Sequence, residues 1–110
     1  MTTPIQTIDV HQLKQHYDQN ADLLLIDVRE QNEWDEGHIP RAQHMPLNDI
    51  AANIHTLAPH HHQTIYLHCR GGVRSKTAAH ALLQQGYTSV YSVDGGINAW
   101  AQAHYPVVCP

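Results

Sequence analysis

Between Thr64 and Ser75 the chain reads Thr-Ile-Tyr-Leu-His-Cys-Arg-Gly-Gly-Val-Arg-Ser. A β-prone run ends in a cysteine. Two adjacent glycines then stand between two arginines, followed by a serine and an alanine-rich stretch. That order puts the Cys69 thiol in a tight loop at a helix N-terminus, where unpaired peptide N–H groups and the helix dipole favour negative charge. Thiols held this way ionise with pKa values from about 3.5 to 7.5. Gly71 and Gly72 permit positive φ and close backbone approach, so the N–H groups of residues 70–75, Val73 among them, can turn inward as an anion cradle. Arg70 and Arg74 add permanent charge and forked donors. Ser75 is placed to cap the following helix through its hydroxyl. The chemistry expected is that of a cysteine anion; the alternative is a plain strand–turn–helix around a buried, inert cysteine.

The elements that must position this loop alternate between strand and helix signals. Asp9 and Gln12 fit a capping box, with Val10, Leu13 and Tyr17 on one helical face. Leu23–Val28 is a continuous apolar run of the kind buried on both sides of a sheet. Gln31–Asp35 suits one helical turn, which Gly37 and Pro40 interrupt. Leu47, Ile50, Ala51, Ile54 and Leu57 follow helical spacing. Thr64–His68 reads as a strand, Ser75–Gln85 as a helix stopped by Gly86, Tyr87–Val93 as a further strand and Asn98–His104 as a short helix. Ala78, Ala79 and Ala81 keep the helix after the loop slim enough to pack close to a sheet, with Lys76, His80 and Gln84 on a wet face. Strand–helix alternation predicts an α/β domain with a mainly parallel sheet. Sites in such sheets form beyond the carboxyl ends of strands, where Cys69 and Asp27 both fall.

Composition narrows the function. A chain of 110 residues is expected to form one domain, 1–110. Its formal net charge of −4 argues against a nucleic-acid partner. The longest wholly aliphatic run, Leu23–Ile26, is too short to span a bilayer, so no membrane role is expected. Met1–Gln6 shows no basic region followed by an apolar stretch, and no secretory signal is expected. Two cysteines, Cys69 and Cys109, do not make a disulfide framework. A working free thiol fits a reducing compartment, most simply the cytoplasm.

Three stretches make the chain resemble the rhodanese-like domain family: Leu25-Ile26-Asp27-Val28-Arg29-Glu30 with Glu33-Trp34 and Gly37-His38-Ile39-Pro40-Arg41-Ala42; His68 to Ser75; and Val93-Asp94-Gly95-Gly96-Ile97-Asn98-Ala99-Trp100. Together they cover nearly the whole chain. Arg41 departs from the family's usual glycine and is expected to add charge near the site entrance without changing the fold. The resemblance implies a rhodanese-like fold, a central, mainly parallel sheet of about five strands flanked by helices. It also implies a sulfurtransferase of the thiosulfate type. There Cys69 would attack the outer sulfur of a small-molecule donor, release sulfite, hold a persulfide, and pass the sulfur to cyanide or a thiol acceptor. The amides of residues 70–75 would stabilise the anion as an oxyanion hole does. Arg70 and Arg74 would attract the donor, or pair with Asp27 or Glu33. No metal or organic cofactor is implied.

Two other readings share the loop. Cysteine phosphatases, one branch of which has this fold, use His-Cys, five residues and then arginine; arsenate reduction by a related branch stands on similar grounds. Here that last position is Ser75 and Arg74 arrives one residue early, enclosing a smaller pocket. A persulfide carrier or binding module, in a relay with a sulfur-relay protein partner, would keep the same residues. Of the remaining candidates, Asp27 and Arg29 are expected to form an interior salt bridge bracing the loop, with direct substrate contact as the alternative. Glu33, Trp34 and His38 read as structural. His68 either tunes the thiol or is an ordinary core histidine. His60-His61-His62 lacks a carboxylate or cysteine pattern for zinc. Cys109 is expected to have no catalytic role.

Overall fold

The computed structural model of the protein describes residues 4–109. Residues 1–3, part of the stretch read as carrying no secretory signal, lie outside the described residues. In chain order the elements are β1 (Gln6–Ile8), α1 (Val10–Gln19), β2 (Leu24–Asp27), α2 (Gln31–Glu36), β3 (Gln43–His44), α3 (Leu47–Leu57), β4 (Thr64–His68), α4 (Val73–Gln84), β5 (Ser89–Val93) and α5 (Gly96–Gln102). The five strands form one sheet in the order β1-β5-β4-β2-β3, every pair parallel. This is the α/β architecture expected from the alternation. The two edge strands, β1 and β3, escape the periodicity reading. With three and two residues they are too short to show a period.

Side chains of a strand point alternately to opposite faces, and each face has its own core. On one, Ile26, Ile65 and Leu67 pack with Ile50 and Ile54 of α3 and Ala78, Ala79 and Leu82 of α4. On the other, Ile8, Leu25 and Tyr66 pack with Leu13 and Tyr17 of α1 and Ile97 and Trp100 of α5. Each large apolar side chain buried this way stabilises the fold by about 1.5–3 kcal/mol before its entropy cost. The small residues of α4 bring its N-terminus close over the end of β4.

Helix starts are where local chemistry decides. The Asp9 carboxylate accepts from the Gln12 amide at 2.8 Å and the Gln12 side chain from the Asp9 amide at 3.2 Å, completing the expected box. The start of α4 differs from expectation. Gly72, at φ +113°, caps the helix and Val73 is its first residue, so Ser75 lies inside the first turn and is no cap. The glycine does the turning that a capping serine would have done. Likewise α5 begins at Gly96, two residues earlier than expected, because Gly95 and Gly96 take left-handed φ values of +76° and +53°.

Candidate active site around Cys69

Cys69 follows β4 on the central strand of the sheet and is 1 % exposed. The Gly72 N–H points at its Sγ from 3.1 Å, and the Ser75 hydroxyl lies 3.6 Å away. Burial is the largest influence on this thiol and opposes ionisation. The Ser75 hydroxyl and the N–H groups of Ser75, Gly72 and Gly71 together outweigh it, so Cys69 titrates below an ordinary cysteine. The cradle is thus narrower than the expected span of 70–75. It is formed by the glycine pair and the first turn of α4, and the Val73 side chain points outward, 79 % exposed. Ser75 is buried, donates to the Gly72 carbonyl at 3.1 Å and meets the Ser92 hydroxyl at 2.7 Å. Its one proton can turn from the Gly72 carbonyl to a sulfur anion, while a hydrogen bond donated by the Ser92 hydroxyl keeps Oγ in place.

The loop is fixed through its carbonyl groups. The Ile97 and Asn98 amides of α5 donate to the carbonyl oxygens of Cys69 and Arg70 at 2.9 and 3.1 Å. In a trans peptide the N–H points opposite to the C=O. Anchoring the Arg70 oxygen on α5 therefore aims the Gly71 N–H to the other side, where the sulfur lies. The backbone of α5 comes this close because position 96 has no side chain. A Cβ there would collide with the Cys69 and Arg70 carbonyls.

The charged residues pair among themselves. Arg74 Nη1 and Nη2 donate to the two Glu33 oxygens at 2.6 and 2.9 Å. Arg70 Nε lies 3.4 Å from Glu33 Oε2 with its side chain 58 % exposed, leaving it the more available cation. Of the two pairing partners considered from sequence, both arginines take Glu33. The hydrogen bonds from Arg74 lead in holding Glu33 down to about 2. Asp27 and Arg29 form the expected interior bridge: Nε and Nη2 of Arg29 donate to the carboxylate at 3.0 and 2.8 Å. Arg29 Nη2 also donates to the Gly37 carbonyl at 2.7 Å. The bridge thus braces the end of α2, the helix that carries Glu33, while its hydrogen bonds reach no atom of residues 70–75.

A profile of the Rhodanese-like domain family matches residues 9–103. The chain belongs to the rhodanese-like domain family. It is 37 % identical over 106 residues to a protein of Allochromatium vinosum named sulfurtransferase, covering 96 % of this chain and 97 % of that one. It is 33 % identical to YrkF of Bacillus subtilis, named as a sulfur carrier, over 87 % of this chain; the match spans 51 % of YrkF. Among solved structures, the rhodanese-like domain of the Anabaena Alr3790 protein superposes with a TM-score of 0.85 at 24 % identity, covering 97 % of this chain and 81 % of that domain, a likeness of fold.

Within this rhodanese-like frame, some residues stand elsewhere than expected. Arg41 is not at the site entrance. It takes φ +69°, a left-handed backbone that favours glycine, and its guanidinium lies 3.7 Å over the Tyr17 ring and donates to the Tyr17 carbonyl. Arg41 lines a cleft with Leu24, Leu57 and Gln63, towards the amino ends of β2 and β4 and away from Cys69. His61 packs edge-on against Tyr87 with ring centroids 4.8 Å apart. Among the described residues no group of three or more His, Cys, Asp or Glu side chains is arranged to hold a metal ion. Trp34 is stacked on His38 at 3.6 Å and His44 at 4.9 Å. Cys109 is exposed, on the tail whose neighbour Val108 bridges His38. Ser92 and the amides of Ile97 and Asn98 escaped the sequence reading. A lone serine inside a strand carries no signal; the Gly95-Gly96 pair ahead of a helix was the one signal that could have pointed to a close backbone approach there. None of the described helices is long and apolar enough to cross a membrane.

Proposed function

We propose that the protein is a sulfurtransferase in which Cys69 is the nucleophile and persulfide carrier. The Cys69 thiolate attacks the outer sulfur of thiosulfate or a similar donor. A Cys–S bond forms, the donor's S–S bond breaks, and sulfite leaves with the electron pair. A thiolate or cyanide then attacks the outer sulfur, and the electron pair of the breaking bond restores the Cys69 thiolate. The carrying observation is the Gly72 N–H at 3.1 Å from Sγ, backed by the Ser75 hydroxyl. These donors suit one sulfur atom that is negative at both ends of the cycle. Arg70 meets the anionic donor, while Arg74, held by Glu33, contributes field from a fixed place. Arg74 is thereby kept from the cradling role that phosphate chemistry asks of an arginine, and the buried Ser75 stands at the position where that chemistry wants one. A reducing compartment such as the cytoplasm would keep the thiol free.

The test is intact-mass analysis after thiosulfate treatment. The wild type gains one sulfur, located on Cys69 by digestion, Cys69→Ala gains none, and Cys109→Ala behaves as the wild type. Sulfur on Cys109, or hydrolysis of phosphate esters without reaction with thiosulfate, would overturn the reading. Carriage within a protein relay is the second reading. It is favoured by the exposed Val73 and Arg70 beside the thiol, a rim suited to an acceptor protein. Slow thiosulfate turnover with efficient protein-to-protein transfer would select it; rapid turnover selects the free enzyme.

A further inference from the structure

Among the described residues, the one buried side-chain nitrogen or oxygen without a hydrogen-bond partner is Nε2 of His68. This residue is fully buried and immediately precedes Cys69. Strand alternation turns its ring to the face opposite the sulfur, where Asp27 is its register partner on β2. The ring is wedged between two acceptors. Nδ1 is 3.3 Å from the Cys69 carbonyl oxygen, and Nε2 is 3.6 Å from Asp27 Oδ2.

A neutral imidazole has one N–H and one lone pair, so it can donate to only one of these acceptors. An imidazolium would serve both, at the cost of burying a third charge beside Asp27 and Arg29. Asp27 has no need of it, since the Arg29 amide, Nε and Nη2 already donate to its carboxylate. The groups facing the ring are Asp27 from β2, Arg29 just beyond it, and the Cys69 carbonyl. Burial is the dominant influence and holds His68 below the ordinary histidine pKa. Asp27 and the Cys69 carbonyl oppose it, and Arg29 reinforces it. Of the two contacts, 3.3 Å is a hydrogen bond and 3.6 Å is not.

We propose that His68 is a positioning residue for the Cys69 loop: a neutral imidazole whose single proton, on Nδ1, holds the Cys69 carbonyl, while Nε2 stays proton-free against the Asp27 carboxylate. The Cys69 carbonyl is then gripped from two sides, by the ring and by the Ile97 amide at 2.9 Å. With the first peptide plane of the loop fixed, the following N–H groups are delivered to the sulfur. The inference rests on the reading of Cys69 as a nucleophile, and its test uses no sulfur donor.

Asparagine places an amide N–H near the Nδ1 position, and glutamine places one near Nε2. At neutral pH, alkylation of Cys69 by iodoacetamide in His68→Asn should stay within about threefold of wild type. His68→Gln should be slowed about tenfold, with its pH–rate profile displaced upward by about one pH unit. Equal rates in the two variants would overturn the proposal. Nitrogen NMR of the histidine-labelled wild type decides independently, even should a variant fail to fold. The His68 signal, assigned through the backbone, should show a protonated Nδ1 and a bare Nε2 at neutral pH. A proton on Nε2, alone or with one on Nδ1, would overturn it. Because alkylation and NMR read the thiolate and the ring directly, a failure of sulfur transfer leaves these results interpretable.

Discussion

Gly96 lies against the carbonyl oxygen of Cys69, so close that a Cβ on residue 96 would overlap that oxygen and come within 2.6 Å of the Arg70 carbonyl oxygen. Its φ of +53° adds a left-handed backbone that a side chain disfavours. Gly96→Ala should therefore lose about 2–4 kcal/mol of stability, read from urea unfolding. It should also slow Cys69 alkylation, because the collision pushes α5 away from the carbonyls it anchors. A fully stable, fully reactive variant would show that this close approach is dispensable.

Ser75→Ala removes the hydroxyl that leads the groups favouring the thiolate. The Cys69 pKa should rise, and the rate of alkylation at pH 7 should fall about tenfold, one pKa unit being a factor of ten in thiolate. Ser92 Oγ also loses its partner, so unfolding should show a loss of about 1–3 kcal/mol. An unchanged pH–rate profile would mean that the backbone amides alone set the ionisation.

The Glu33 pKa is depressed, from 4.5 to about 2. A depressed carboxylate contributes stability that is fully present above its unfolded pKa and lost as pH falls through the folded one. Glu33→Gln should therefore be less stable than the wild type by about 1–2 kcal/mol at pH 7, the bidentate pair being discounted for the partial exposure of Arg74. The two unfolding curves should converge as the pH is lowered from 4.5 towards about 2. A stability gap independent of pH would assign the cost to packing and not to charge.

Asp27→Asn leaves the Arg29 guanidinium buried without its counter-charge. The expected loss is about 3–5 kcal/mol in denaturant unfolding. Asp27→Asn combined with Arg29→Met should recover part of it, since the uncompensated charge is then gone. Additive losses would mean that the two residues act independently.

Much of this arrangement was legible because it is written in local chemistry. The Leu23–Val28 run marked a buried strand, Asp9 and Gln12 a helix start, and Cys69 with two glycines a tight loop at the start of a helix. What stayed hidden depends on contacts distant in sequence. Ser75 reads as a cap until Gly72 is seen to make the turn, and it becomes a partner of the sulfur only because β5 brings Ser92 beneath it. Arg41 reads as a charge near the site until its ring contact with Tyr17 places it towards the other end of the strands. The choice of Glu33 by both arginines required α2 to be set down beside α4.

The anchoring of loop oxygens on α5 separates two tasks along one short stretch of chain. The inner rim, made of main-chain hydrogens and the buried Ser75 hydroxyl, answers only to the nucleophile and involves no side chain of Arg70 or Val73. Those two side chains stand outside, free to be exchanged. Evolution could thus refit the outer surface for a new sulfur donor or recipient while the reactivity of the thiol passed through unaltered.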